Sequence, residues 1–199
     1  MNSTYKVSLP PINFENSNER QKALLEKTKK TYRFLPNMQS KMGNYPPLLE
    51  SYLDGVASFR KESGFTLIEQ EVIFLVISFE NNCDYCVASH SLIADIKAKM
   101  PRNIIEELRE DKVLSDSKLN TLKIFTKHML LERGFPNESE TQKFMDAGYT
   151  ENQILAIIHA ISLKTLSNYL NHVFDTDLDT MTKVWEWKPL RSVVSFFKK

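Results

Sequence analysis

A chain of 199 residues, 42% of them hydrophobic, has the length and apolar content for one sizeable core and is not a disordered chain. Its 26 Lys and Arg balance 25 Asp and Glu, which leaves no electrostatic argument for nucleic acid or an anionic membrane as a partner. The first residues lead into Pro10 and Pro11 without a signal-like apolar segment, and the apolar run 72–79 is far short of the roughly 20 residues a spanning helix needs, so a cytoplasmic protein is expected.

Five glycines and eight prolines are few for this length and fall between periodic segments, so the fold class reads as all-α. Residues 1–17, with Pro10 and Pro11, form an extended arm, expected to pack on a partner subunit. A charged first helix follows over 18–32, and Pro36 and then Pro46 and Pro47 mark breaks. Leu48, Leu49, Tyr52, Leu53, Val56 and Phe59 recur at helical spacing and make a second, core-facing helix that ends near Gly64.

Thr66 and Glu69 make a capping box, in which a hydroxyl and a carboxylate three residues on satisfy the free backbone donors of a helix start. The β-branched run 72–79 would pass alone for a strand, but the cap and the length of 66–82 predict a buried helix carrying one acid, Glu71. Asn81 and Asn82 are turn residues, and a new helix is expected from Cys83 to about Lys99. Further helices are predicted over 102–110, from a cap at Ser115 or Asp116 to Gly134, over 138–147, and onward from a second capping box at Thr150 and Gln153. Trp185, Trp187, Phe196 and Phe197 make the tail 181–199 a segment that docks on its own or a neighbouring subunit.

Sliding the chain by 82 residues lays 153–158 on 71–76 and puts Thr165 under Cys83, Asn168 under Cys86 and His172 under His90. This reads as a doubled helical unit within a domain of residues 18–180, with an active half at about 48–110 and a degenerate half at about 115–175.

Cys83 and Cys86 are the only cysteines. If their stretch is helical, at about 100° per residue they lie roughly 60° apart and His90 falls within roughly 20° of Cys83, so two thiols and an imidazole share a face. Only a thiolate attacks, and three groups here favour one: a helix N-terminus, His90, and Glu71 if the preceding helix folds back. A second thiol three residues away can close a disulfide once the first is oxidised. Two quieter readings remain open: a pair of buried structural thiols, and a zinc site of Cys83, Cys86, His90 and Glu71. His159 and His172 read as packing groups, and His128 as solvated.

The pattern Glu-x11-Cys-x-x-Cys-x3-His, formed by Glu71, Cys83, Cys86 and His90, resembles the alkylhydroperoxidase D-like branch of the carboxymuconolactone decarboxylase superfamily. Asn168 to His172 is similar to the Asn-rich end of its peroxidase-related members. The resemblance implies an all-helical bundle with a degenerate internal repeat, a homo-oligomer, and a thiol-dependent peroxidase or disulfide oxidoreductase. Its substrate would be a hydroperoxide or a partner-protein disulfide, its reductant an external thiol, with no cofactor and no metal. By the same resemblance Cys86 forms the sulfenic acid, Cys83 donates a proton and resolves, and Glu71 and His90 relay protons. The pattern departs at Tyr85, where characterised members carry a histidine, and the paired cysteines disfavour lactone decarboxylation. The alternative function is a non-catalytic helical stress protein that senses oxidation or binds zinc.

Overall fold

In the computed structural model, which describes residues 4–186, every regular element among the described residues is helical. The α-helices are α1 Glu19–Tyr32, α2 Asn37–Met42, α3 Pro46–Glu62, α4 Leu67–Glu80, α5 Asp84–Ile96, α6 Arg102–Arg109, α7 Ser117–Leu131, α8 Glu138–Asp146 and α9 Glu151–Phe174, and a 3-10 helix covers Thr180–Trp185. No helix among the described residues is long and apolar enough to cross a membrane. The run 72–79 is helical, as its cap predicts: Thr66 accepts from the Glu69 N–H while the Glu69 carboxylate accepts from the Thr66 N–H.

Helix α4 is the centre of the bundle, because residues 69–78 are buried all round and the run 72–77 is apolar on every side. It touches α5, α6, α7 and α9. Phe74, Leu75, Phe125, Phe144 and Ile157 belong to the core around it. A second cluster joins α1, α2 and α3 to the start of α5, and both cysteines lie in it. Gly55 lies at the crossing of α3 and α9: a Cβ there would stand 2.5 Å from Leu163 Cδ2, so a larger residue would make the Leu163 side chain shift.

Three features go beyond the sequence reading. Helix α2 lies between the two proline breaks, in a stretch without a predicted element. The arm lies along its own chain, with the Val7 N–H donating to Val173 O at 2.7 Å, the Ile12 N–H donating to Ser40 O at 3.0 Å, and the Ile12 side chain buried. Helices α4 and α5 are each shorter than predicted, since the chain turns through Asn81, Asn82 and Cys83. Of the tail, Trp185 is buried and its carbonyl accepts from Arg109 at 2.9 Å. Trp187, Phe196 and Phe197 lie outside the described residues.

Candidate active site

The turn between α4 and α5 positions both thiols. Asn82 sits in the left-handed region, φ 56°, the Asn82 N–H donates to Phe79 O at 2.9 Å, and the Cys83 N–H donates to Ser78 O at 2.9 Å. These paired bonds close the end of α4 as a Schellman motif, with Asn where a left-handed residue is needed. Cys83 is at once the residue after that motif and the N-cap of α5, with φ −99° and ψ 91°. It therefore lies outside the helix, and the expected shared face belongs to Cys86 and His90, four residues apart on α5. Cys86 falls in the first turn of α5, where the free N–H groups favour an anion.

Glu71 reaches this face from α4. It is fully buried, its Oε2 lies 2.7 Å from His90 Nδ1, and its Oε1 accepts from Arg60 of α3. Burial opposes the carboxylate, but His90 and then Arg60 outweigh it and hold the Glu71 carboxyl below its ordinary value. Arg60 is held by Gln70, whose Oε1 accepts from Arg60 Nη1 at 2.9 Å and whose amide donates to Phe65 O at 2.9 Å. A carboxylate against Nδ1 fixes the imidazole tautomer with the proton on Nδ1 and leaves Nε2 as an acceptor. Burial, joined by the charge of Lys164, pushes the His90 imidazole down against the pull of Glu71, so the ring is neutral near pH 7.

The two free thiols are buried and electrostatically unequal. Burial opposes a Cys86 thiolate, yet a hydrogen bond from Cys83 and the charge of Lys164 hold the Cys86 thiol well below the usual range. The same hydrogen bond, then burial, pushes the Cys83 thiol far up. The pair is thus poised as thiolate at Cys86 and proton at Cys83. Asn171 of α9 completes the shell, its Nδ2 lying 3.3 Å from Cys86 Sγ and 3.6 Å from Cys83 Sγ. A cavity of about 690 Å³ opens onto Cys86, His90 and Lys164, with Phe74, Leu92 and Ile93 among its walls.

The structure brings Glu71, Cys83, Cys86 and His90 to one place. Tyr85 is turned aside: its hydroxyl donates to Asp179, and the Met38 N–H donates to it at 3.4 Å. Among the described residues no group of three or more His, Cys, Asp or Glu side chains is arranged to hold a metal ion. His159 packs edge-on against Phe59 and His172 lies beside Tyr169. His128 is not merely solvated, since its Nε2 accepts from the Asn137 N–H at the start of α8 at 3.2 Å. Sequence reasoning missed Arg60, Lys164 and Ser167, and took Asn171 only as part of an Asn-rich run. The signal was there: Lys164, Asn168 and Asn171 recur at spacings of four and three on an otherwise apolar helix, which puts a polar stripe on a buried face.

No protein-family model matches the sequence, and no curated protein matches it. Solved structures do. The alkylhydroperoxidase AhpD core of an uncharacterized peroxidase-related protein from Ralstonia eutropha JMP134 superposes with a TM-score of 0.78 at 18% identity, over 87% of this chain and 93% of that one. An uncharacterized peroxidase-related protein from Silicibacter sp. TM1040 gives 0.74 at 16% identity, over 89% and 93%. A cysteine-to-alanine variant of the debrominase Bmp8, in complex with 2,3,4-tribromopyrrole, gives 0.74 at 14% identity, over 92% and 97%. Identities this low speak for architecture alone, and in architecture the chain is an alkylhydroperoxidase D-like all-helical protein.

Proposed function

We propose that this chain is a thiol-dependent peroxidase or disulfide oxidoreductase of the alkylhydroperoxidase D-like type. The observation that supports it most is the asymmetry of the thiol pair, a favoured thiolate at Cys86 backed by a proton on Cys83, at the wall of an organic-sized cavity. In the forward step the Cys86 sulfur attacks the terminal oxygen of a hydroperoxide, the O–O bond breaks, and Cys86 becomes a sulfenic acid. Cys83 then attacks that sulfur, its proton leaves with the hydroxide as water, and a Cys83–Cys86 disulfide forms. An external dithiol reduces it and restores the pair. His90, neutral and aligned by Glu71, takes the proton whenever Cys86 is regenerated as a thiol. A partner-protein disulfide is the other electrophile this pair suits, and a homo-oligomer belongs to the same reading.

The test is hydroperoxide consumption with dithiothreitol as reductant. Cys86→Ser is expected to abolish turnover, and Cys83→Ser, oxidised with no dithiol present, to stop after one sulfenic acid per chain, which dimedone traps. Full activity in Cys86→Ser overturns the proposal. A second reading, reductive debromination of a brominated aromatic, is favoured by the fold shared with Bmp8 and by the apolar walls of the cavity. Here the aromatic gains a proton, bromide leaves, and the thiol pair is oxidised to the disulfide. Bromide release from 2,3,4-tribromopyrrole with the same reductant tells the two apart.

A further inference from the structure

Lys164, whose charge helps to hold Cys86 as a thiolate, stands where it can serve the reaction a second time. It is 1% exposed, on the buried face of α9, and among the described residues its Nζ meets the Cys86 sulfur but no nitrogen or oxygen partner. Its nearest aromatic contact is the Phe74 ring, 5.6 Å from Nζ to centroid. An ammonium has three donors, so one whose only polar neighbour is a sulfur keeps donors free for a bound molecule. Lys164 borders the same cavity as Cys86, with Tyr52 and Gln39 beside it, and Gln39 Oε1 is likewise buried and unpartnered. The cavity thus carries a cationic donor and a free acceptor together with the thiol, and Phe74, Leu92 and Ile93 give it apolar lining as well. That is the complement of an organic molecule whose polar, reacting end faces the floor.

We propose that Lys164 is a further catalytic residue, whose ammonium group receives the oxygen that leaves when Cys86 attacks a peroxide. The inference rests on the peroxidase reading above and adds a group to it. Attack of the Cys86 thiolate on R–O–O–H forms the S–O bond and breaks the O–O bond, giving Cys86 sulfenic acid and the alkoxide R–O⁻. An alkoxide is a poor leaving group, and in a water-poor cavity its charge must meet a donor already in place. Lys164 supplies the proton, R–O⁻ leaves as R–OH, and Lys164 takes a proton back from solvent through the cavity. The role differs from holding Cys86 as a thiolate, because it concerns the leaving oxygen and persists when the thiol is fully ionised.

The experiment compares two peroxides with opposite needs, tert-butyl hydroperoxide, which expels an alkoxide, and peracetic acid, which expels a stable carboxylate. Single-turnover oxidation of Cys86 is followed in wild type and Lys164→Met at a pH where ultraviolet thiolate absorbance shows Cys86 ionised in both. Lys164→Met puts an apolar chain of similar length in the place of a buried charge, and a thermal melt checks that it folds; Lys164→Gln takes its place otherwise. The expected result is a loss of about 10²-fold with tert-butyl hydroperoxide and less than about threefold with peracetic acid. Equal losses with both peroxides, or no loss with either, overturn the role of Lys164 while leaving the peroxidase reading intact. A wild-type protein that oxidises Cys86 with neither peroxide overturns both.

Discussion

Two helical stretches of like sequence line the site, and they differ in whether the chain breaks. The stretch from Thr66 stops at Glu80, turns through Asn82 and restarts as α5, whereas the stretch from Thr150 runs unbroken as α9 to Phe174. Their capping boxes, at Thr66 and Thr150, stand 84 residues apart, two more than the 82 of the sequence echo, so Glu71 and Gln153 occupy different turns of their helices. The break creates a helix N-terminus inside the bundle, and Cys86 sits in its first turn. The unbroken helix offers no such terminus and supplies instead a buried row of Lys164, Ser167, Asn168 and Asn171. The chemistry of a thiolate needs both: exposed backbone donors beneath the sulfur, and fixed polar side chains facing it.

The largest effect should come from the one acid that ties the broken stretch together. Glu71→Gln leaves Arg60 and His90 without their buried partner, at a cost of about 3 kcal/mol, and removes the group that orients the imidazole, worth about 10²-fold in kcat/KM. Because Glu71 is held below its ordinary value in the folded protein, its stabilisation is complete above the unfolded value of about 4.3 and fades as pH falls through the folded one. Thermal melts of the two proteins should therefore differ at about pH 7 and converge toward about pH 3. A difference that stays constant with pH would show that Glu71 acts by packing alone.

The unbroken helix contributes a smaller, separable effect. Asn171→Leu removes the donor to both sulfurs, and one hydrogen bond to an ionised group of about 1.5 kcal/mol should raise the Cys86 midpoint by about one pH unit. In wild type, alkylation of Cys86 by iodoacetamide should already be at its plateau near pH 8, since the thiol is held well below the usual range, and should fall only on the acid side. A midpoint in Asn171→Leu identical to that of wild type would remove Asn171 from the thiolate's shell.

The break itself can be stressed next. With φ 56°, Asn82 is in a conformation that a β-branched side chain resists, so Asn82→Val should cost about 1–2 kcal/mol and Asn82→Gly should be near neutral. If the turn is what presents Cys86 to the helix terminus, Asn82→Val should also slow Cys86 alkylation, and Asn82→Gly should leave it unchanged. Matching rates in the two variants would mean that the packing of α5 alone fixes the thiol.

How far the sequence carried this picture follows from what each signal depends on. The capping boxes at Thr66 and Thr150, and the apolar period of α4, are local, so the helices they start were legible. The spacing of Glu71, Cys83, Cys86 and His90 was legible too, because all four belong to consecutive helices joined by a tight turn. Lys164 and Asn171 approach from a helix some 80 residues away in sequence, and the polar stripe that marks their face of α9 does not say that α5 is what it meets. Nor does any pattern within α3 or α9 encode their crossing, where Gly55 meets Leu163. Helix α2 escaped notice because six residues carry too few turns to display a period.

The smallest effect is predicted at the residue where the motif departs from its family. Tyr85 neighbours Cys86 in sequence, which invites a place for its phenol in the proton path, yet its side chain points to the segment after α9 and ends on Asp179. Burial, with the adjacent Asp179 charge, pushes the phenol well above its ordinary value, so it stays protonated and cannot serve as a base at neutral pH. Asp179 also accepts from the Asn37 N–H at 2.9 Å, so the phenol is one of two anchors joining α5 and α2 to the same carboxylate. Tyr85→Phe should accordingly cost about 1 kcal/mol in a denaturant titration, with Asp179 keeping its second partner, and leave the rate of Cys86 oxidation within about twofold of wild type. A loss of rate larger than the loss of stability explains would put the phenol in the proton path and make the break between α4 and α5 carry one more catalytic group than the unbroken helix opposite.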